Sequence, residues 1–187
     1  MCSFEKAYKK TIVHEGFYAN VEGDIGGETY MGVSRYYHPD WEGWPIVDAE
    51  KEKQGGRLPW NYRIRNSRLE QLVQAFYKKA FWDHPGFGRI YDEALAIQLF
   101  DFYVNARHHA VKVIQKVLNE DFGEGLAVDG ISGPKTIGAI NRAFAEMLFE
   151  CFKEARMKYY QRIAQRGQNQ KFLKGWMKRA KSYEYIA

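Results

Sequence analysis

Apolar positions recur at helical spacing along most of the chain, and this periodicity predicts its architecture. Near the start, Phe4, Tyr8, Thr11, Ile12 and Glu15 share one helical stripe. Gly16 is placed to stop that helix, which puts Glu15 in its last turn. Leu69, Leu72, Val73, Phe76, Tyr77, Ala80 and Phe81 predict a second amphipathic helix, ended by the His84-Pro85-Gly86 breaker. A third is predicted from about Asp92 to Asn119. Its stretch ALAIQLFDFYVNA is apolar nearly all round, the pattern of a buried central helix. Beyond the turn-rich VDGISGPKT, a helix runs from Pro134 toward Gln165 with Ile137, Ile140, Phe144, Met147, Leu148, Cys151, Phe152 and Ala155 inward. A last helix holds Phe172, Trp176 and Tyr183.

Two segments break the helical period. Residues 18–33, punctuated by Gly23, Gly26, Gly27 and Gly32, read as a short hairpin or pair of turns. Residues 35–66 show no sustained period and carry Pro39, Pro45, Pro59 and three tryptophans, a long aromatic loop of the functional kind. The predicted class is therefore α+β, predominantly helical, with one small β-hairpin near the N-terminus.

Composition narrows this picture little. Apolar residues make up 45% and aromatics 16% of 187 residues, enough for a packed interior, and no run nears eighteen apolar positions. The opening MCSFEKAYKK lacks the apolar core of a secretory signal. Cys2 and Cys151 are too few for a disulfide framework, and Cys151 in MLFECF reads as a buried thiol. Charge is more telling. From Lys153 onward ten basic residues face two acidic ones, +8 on the last 35 residues against +5 for the whole chain. Such a segment attracts polyanions, or is simply a solvated helix face.

The chemistry concentrates in HEGFYANVEGDIGGETYMGV, residues 14–33. A carboxyl at a helix C-terminus, followed by Phe17 and Tyr18, is expected to hold its proton more tightly, as a general acid requires. Asp24, among turn glycines, is expected to stay ionised, and Thr29 to hold a water with it. Two carboxyls in opposed environments suit glycoside hydrolysis. The spacing by itself also fits an ordinary turn, with Glu22 and Glu28 flanking it.

The order of Glu15, Asp24 and Thr29 resembles the active-site layout of phage-type lysozymes. More closely, the stretch resembles the opening motif of glycoside hydrolase family 108, roughly E-G-G-Y, a spacer, D-x-G-G-x-T, then glycine and an aliphatic residue. Glu15, Gly16, Tyr18, Asp24, Gly26, Gly27, Thr29, Gly32 and Val33 match; Phe17 and Glu22 depart. FYKKAFWD and IQLFDFYVNA are similar to the family's middle section, where Asp101 and Asn105 correspond to an inward-facing pair. VDGISGPKTIGAI and FLKGWMKR resemble a peptidoglycan-binding segment. The resemblance implies a lysozyme-like N-acetylmuramidase with Glu15 as acid. Asp24 and Thr29 would position water, or Asp24 would only shape the turn. It implies a catalytic segment over 1–90 and a helical peptidoglycan-binding segment over 91–187, packed into one body. It also implies a monomer without cofactor, made in the bacterial cytoplasm and acting at the cell wall after holin-like or other release. Endolysin, prophage and secretion-activator contexts all fit.

Tyr18 and Tyr30 are the expected sugar contacts beside Glu15. Tyr30, Trp41, Trp44 and Trp60 either stack on sugars or hold the long loop down. Asp101 and Asn105 either contact substrate or form an internal network, since buried polar groups need partners. No metal is expected: Tyr18 stands where H-E-x-x-H needs histidine, and His108 and His109 on one helix diverge by about 100°. GPKT lacks the glycine spacing of a phosphate loop. Two rival functions remain, a non-catalytic peptidoglycan binder and a basic nucleic-acid binder, the latter leaving the acids at the front without a role.

Overall fold

The computed structural model of the chain describes residues 3–21 and 27–185. Two structural units emerge, one formed by residues 11–79 and the other by 1–10 with 80–187. The helix α1 (Phe4–Ile12) and a π-helical stretch, Lys78–Asp83, carry the chain from one unit to the other.

In the unit of residues 11–79, three short strands form an antiparallel sheet in the order β1 (Tyr18–Ala19), β2 (Thr29–Tyr30), β3 (Val33–Ser34). Tyr18 pairs with Tyr30, and Tyr30 with Val33. The β2–β3 connection is the two-residue turn Met31-Gly32, with φ of 45° and 76°. Positive φ at both central residues is the hairpin geometry that follows strand twist. The sheet thus has one strand more than a hairpin.

The segment expected as an aromatic loop contains a helix, α2 (Trp44–Lys53). Only Trp44 and Val47 of α2 are buried, too few inward positions to register as a period. Pro45 sits in its first turn, where a missing N–H costs nothing. Helix α3 (Ser67–Tyr77) begins at Asn66, whose side chain accepts from Leu69 N–H at 2.9 Å, and buries Leu69, Val73 and Tyr77.

In the other unit, the predicted helix over 92–119 is two helices, α4 (Glu93–Ala106) and α5 (His108–Phe122). They break at Arg107, which has φ 51° and ψ −133°. Its guanidinium lies 3.9 Å from the centre of the Phe81 ring. The rings of His108 and His109, the first two residues of α5, lie 4.1 Å apart. Similarly, 134–165 splits into α6 (Pro134–Arg142) and α7 (Ala145–Ala164) at extended Ala143 and Phe144. Phe144 and Met147, expected inward, are consequently exposed. Helix α8 (Gln170–Lys181) packs on α7, which also packs on α4 and α5.

The core of this unit is aromatic. Phe4, Trp82 and Phe100 meet edge to face at 5.7–5.9 Å, and Phe102 lies against Phe152, Tyr159 and Tyr160. The VDGISGPKT turn is held by buried Gln115, which donates to Asp129, the Ile131 carbonyl and Thr136 and accepts from Gly130 N–H. Gly130 has φ 84°, and a Cβ there would stand 2.9 Å from the His108 carbonyl oxygen, so only glycine fits. Cys151 is half-buried with its thiol free, and burial followed by Asp121 and Glu154 raises its pKa. Among the described residues no helix is long and apolar enough to cross a membrane, and no cluster of His, Cys, Asp or Glu could hold a metal.

Candidate active site

Glu15 follows α1 rather than ending it. The helix stops at Ile12, and two tighter turns continue: His14 N–H donates to the Thr11 carbonyl and Glu15 N–H to the Ile12 carbonyl. Gly16 adopts no left-handed backbone, so the expected glycine stop is absent. It meets a neighbour instead: a Cβ at Gly16 would stand 3.4 Å from Asn61 Oδ1.

The main chain after Glu15 is clamped from two directions. Phe17 N–H donates to Asn61 Oδ1 at 2.9 Å, and the Phe17 carbonyl accepts from Met31 N–H at 2.8 Å. Asn61 N–H in turn donates to the Tyr18 carbonyl at 2.7 Å. Asn61 has φ 61°, a left-handed conformation that asparagine tolerates better than most residues. It therefore works as a one-residue splice between the 54–66 segment and β1. Beside it, Trp60 is 76% exposed.

The Glu15 carboxyl, half-buried, faces the hairpin turn. A Cβ at Gly32 would stand 3.8 Å from Glu15 Oε2 and only 2.7 Å from the Tyr77 hydroxyl. That hydroxyl donates to the Met31 carbonyl at 3.0 Å. So the acid, the glycine of the turn and a phenol from α3 converge on one spot. Asp24 lies outside the described residues. Thr29 is on β2, partly exposed, in register with Ala19 and Ser34.

Tyr18 and Tyr30 are both buried. Tyr30 is 1% exposed, and its hydroxyl is clasped by the Ile64 main chain, accepting from N–H at 3.2 Å and donating to the carbonyl at 3.3 Å. That leaves no ring face for a sugar. The Tyr18 hydroxyl donates to Glu28 at 2.9 Å, and burial followed by that bond raises its pKa. One edge of Tyr18 nonetheless borders a 480 Å³ cavity with Asn20, Lys51, Arg57 and Leu58. Glu28 also pairs with Lys51 at 2.8 Å and Arg35 at 2.5 Å, and Arg35 reaches Asp48. Burial works against charge on Glu28, but Lys51, Tyr18 and Arg35 outweigh it and lower its pKa. Trp44 is buried with its indole N–H on the His38 carbonyl, so it anchors the loop.

Asp101 is held by two arginines. It is wholly buried between Arg156 (2.5 Å) and Arg179 (2.7 Å), each from a different helix of the rear bundle. Burial disfavours its charge, yet the two guanidiniums prevail and hold its carboxyl below the ordinary aspartate range. The network is internal, and it ties α4 to α7 and α8 rather than to the hairpin or the long loop. Asn105, exposed, accepts from the Tyr160 hydroxyl, which also receives Arg156 N–H bonds.

Residues 8–106 match the family described as Glycosyl hydrolase 108, just over half of the chain. The chain is a member of glycosyl hydrolase family 108. It is thus a glycoside hydrolase of the lysozyme type, and Glu15, Asn61, Gly32 and Tyr77 all fall within the matched segment. Residues 109–181 match a second family, described as a predicted peptidoglycan domain, which together with the first makes this a peptidoglycan hydrolase. The two matches meet at the Arg107 break. Among solved structures, SagA of Brucella abortus is 21% identical with a TM-score of 0.65, over 96% of this chain and 90% of that one. At that identity the likeness shows the fold, a lysozyme-like α+β architecture. Comparison with curated proteins finds no match.

Tyr77 and Asn61 escaped the sequence reading. Tyr77 counted only as an apolar position of α3, and Asn61 lay in a segment without period. The Asn61 signal is chemical rather than periodic: Trp-Asn-Tyr after Pro59, with asparagine the residue suited to a left-handed turn.

Proposed function

We propose that this glycoside hydrolase is an N-acetylmuramidase that cleaves the β-1,4 bond between N-acetylmuramic acid and N-acetylglucosamine, with Glu15 as the general acid. The observation that carries the reading is the placement of the Glu15 carboxyl beside the Met31-Gly32 turn. It stands on a main chain clamped by Asn61 and Met31, next to a glycine whose missing side chain lets the Tyr77 hydroxyl and the Glu15 carboxyl approach the turn. A general acid must hold its proton within hydrogen-bond reach of the glycosidic oxygen, so a rigid backbone at that residue is the first requirement. Asp24 and Thr29 would hold the attacking water. Trp60, exposed beside Asn61, offers a platform for a sugar ring that buried Tyr30 does not. The expected place of action is the cell wall.

The test is a reducing-end assay on purified peptidoglycan sacs with mass analysis of the products. The parent should release fragments ending in reducing muramic acid, and Glu15→Gln should release none while unfolding at the same temperature. Fragments ending in reducing glucosamine would overturn the bond assignment, and undiminished release by Glu15→Gln would overturn the acid. The anomer first formed, read by NMR, separates inversion from retention.

A further inference from the structure

Helices α5 and α7 pack on each other, α5 burying Ala110, Val111, Ile114 and Val117 and α7 burying Phe149 and Phe152. Along their outer seam runs a groove of 280 Å³. Its floor is apolar, made by Val113, Val117, Ala155 and the half-buried ring of Tyr159. Its walls are cationic. Lys112 and Lys116 stand one turn apart on α5, and Lys158 and Arg162 one turn apart on α7. Like charges at that spacing repel along each helix, and the two rows repel again across the groove. A merely solvated face would alternate signs, as Glu150 and Lys153 do elsewhere on α7.

The charge is also only lightly compensated, Asp129 acting on Lys112. Among the described residues none of these four cations forms an ion pair, and Glu120 is the sole acid on the groove. His109, at its rim, registers the field: burial first, then His108, Lys112 and Arg162, lower its pKa below the ordinary imidazole value. The Arg162 guanidinium lies 5.6 Å from the centre of the Tyr159 ring, so charge and aromatic face are presented together.

We propose that this groove is the anchor for peptidoglycan in the rear unit: Tyr159 takes a sugar face while the lysines and Arg162 take stem-peptide carboxylates. A bare polyphosphate would use the cations but not the apolar floor. A neutral glycan would use the ring and leave four charges idle. Peptidoglycan offers a sugar ring and carboxylates on one strand. The groove lies wholly within residues 109–181, the segment matched as a peptidoglycan domain. The inference rests on the peptidoglycan substrate proposed above but not on Glu15, so binding and cleavage are tested apart.

Binding is measured by co-sedimentation of the full chain with intact sacs, in parent and in Lys116→Glu/Lys158→Glu, both exposed positions. The variant should lose about tenfold or more in apparent affinity at low salt, as expected when rim cations are reversed. Its cleavage of a short soluble glycan should match the parent. Sacs whose carboxyls are capped as methylamides should bind the parent as weakly as the variant binds native sacs. Independently, a soluble disaccharide-tetrapeptide should raise the His109 pKa of the parent, read by imidazole NMR. Undiminished sedimentation of the variant, or an unmoved His109 with the fragment bound, would overturn the anchor. So would an oligonucleotide that binds through the same lysines more tightly than sacs do. Absence of cleavage with binding intact would count against the hydrolase reading alone.

Discussion

The Tyr77 hydroxyl occupies the space that a side chain at Gly32 would need, 2.7 Å from where its Cβ would stand, and from there bonds the Met31 carbonyl. Glycine at 32 is thus required twice, by its φ of 76° and by this contact. Gly32→Ala should cost about 2 kcal/mol, combining a left-handed penalty of about 1–2 kcal/mol with a displaced hydroxyl. Tyr77→Phe should cost about 1 kcal/mol, one hydrogen bond. The double variant should cost less than the two together, because removing the hydroxyl removes the obstruction. Urea denaturation of the four chains checks this, and strict additivity would refute the steric relationship.

How legible was this arrangement in the sequence? Helices with three or more inward positions could be read, as α3 could from Leu69, Val73 and Tyr77. Helix α2 could not, because it buries two residues and opens with a proline that elsewhere marks a loop. Breaks inside apolar runs were also hidden. Arg107 and Ala143 carry no glycine or proline signal. At the candidate site, Glu15 stood out by chemistry, whereas Asn61 acts across 44 positions through a side-chain acceptor. Periodicity records which faces are buried, not which main-chain groups a distant side chain will satisfy.

Asp101 is the charge most dependent on its partners. Its lowered pKa means that the stability it contributes is present above the unfolded value, about 3.9, and is lost as pH falls through the folded one. Asp101→Asn should cost about 3–5 kcal/mol at neutral pH, since Arg156 and Arg179 would be left buried without a counter-charge. Among the described residues one Arg156 nitrogen, Nη1, has no hydrogen-bond partner, and the rings of Phe102 and Tyr160 offset its charge only in part. Denaturation midpoints followed from pH 7 to pH 2.5 should fall less steeply below pH 4 in the variant than in the parent. Parallel curves would place the acid sensitivity elsewhere.

Glu28 plays a milder version of this role beside the sheet. Its side chain is 10% exposed, while Lys51 and Arg35 are 24% and 31% exposed, so solvent screens the network in part. Glu28→Gln keeps an acceptor for the Tyr18 hydroxyl and removes only the charge. The expected cost is about 1–2 kcal/mol, below that of a fully buried pair. A Glu28→Gln/Lys51→Met double variant should recover part of it, because the stranded lysine is gone. A greater loss in the double variant would show that Lys51 matters through packing instead.

Asn61 offers a test of whether backbone rigidity at Glu15 serves catalysis. Asn61→Gly keeps the left-handed conformation and deletes the acceptor for Phe17 N–H; Asn61→Asp keeps the acceptor. If the clamp positions the acid, Asn61→Gly should lower kcat on peptidoglycan about tenfold with KM little changed, since orientation rather than binding is lost. Asn61→Asp should restore most of that rate, although both variants alter the same residue. A merely structural asparagine predicts something different: both variants lose stability according to their effect on folding, and activity per folded molecule stays level. Measuring kcat alongside the folded fraction therefore separates positioning from support, and equal kcat in parent and Asn61→Gly would remove Asn61 from the catalytic apparatus.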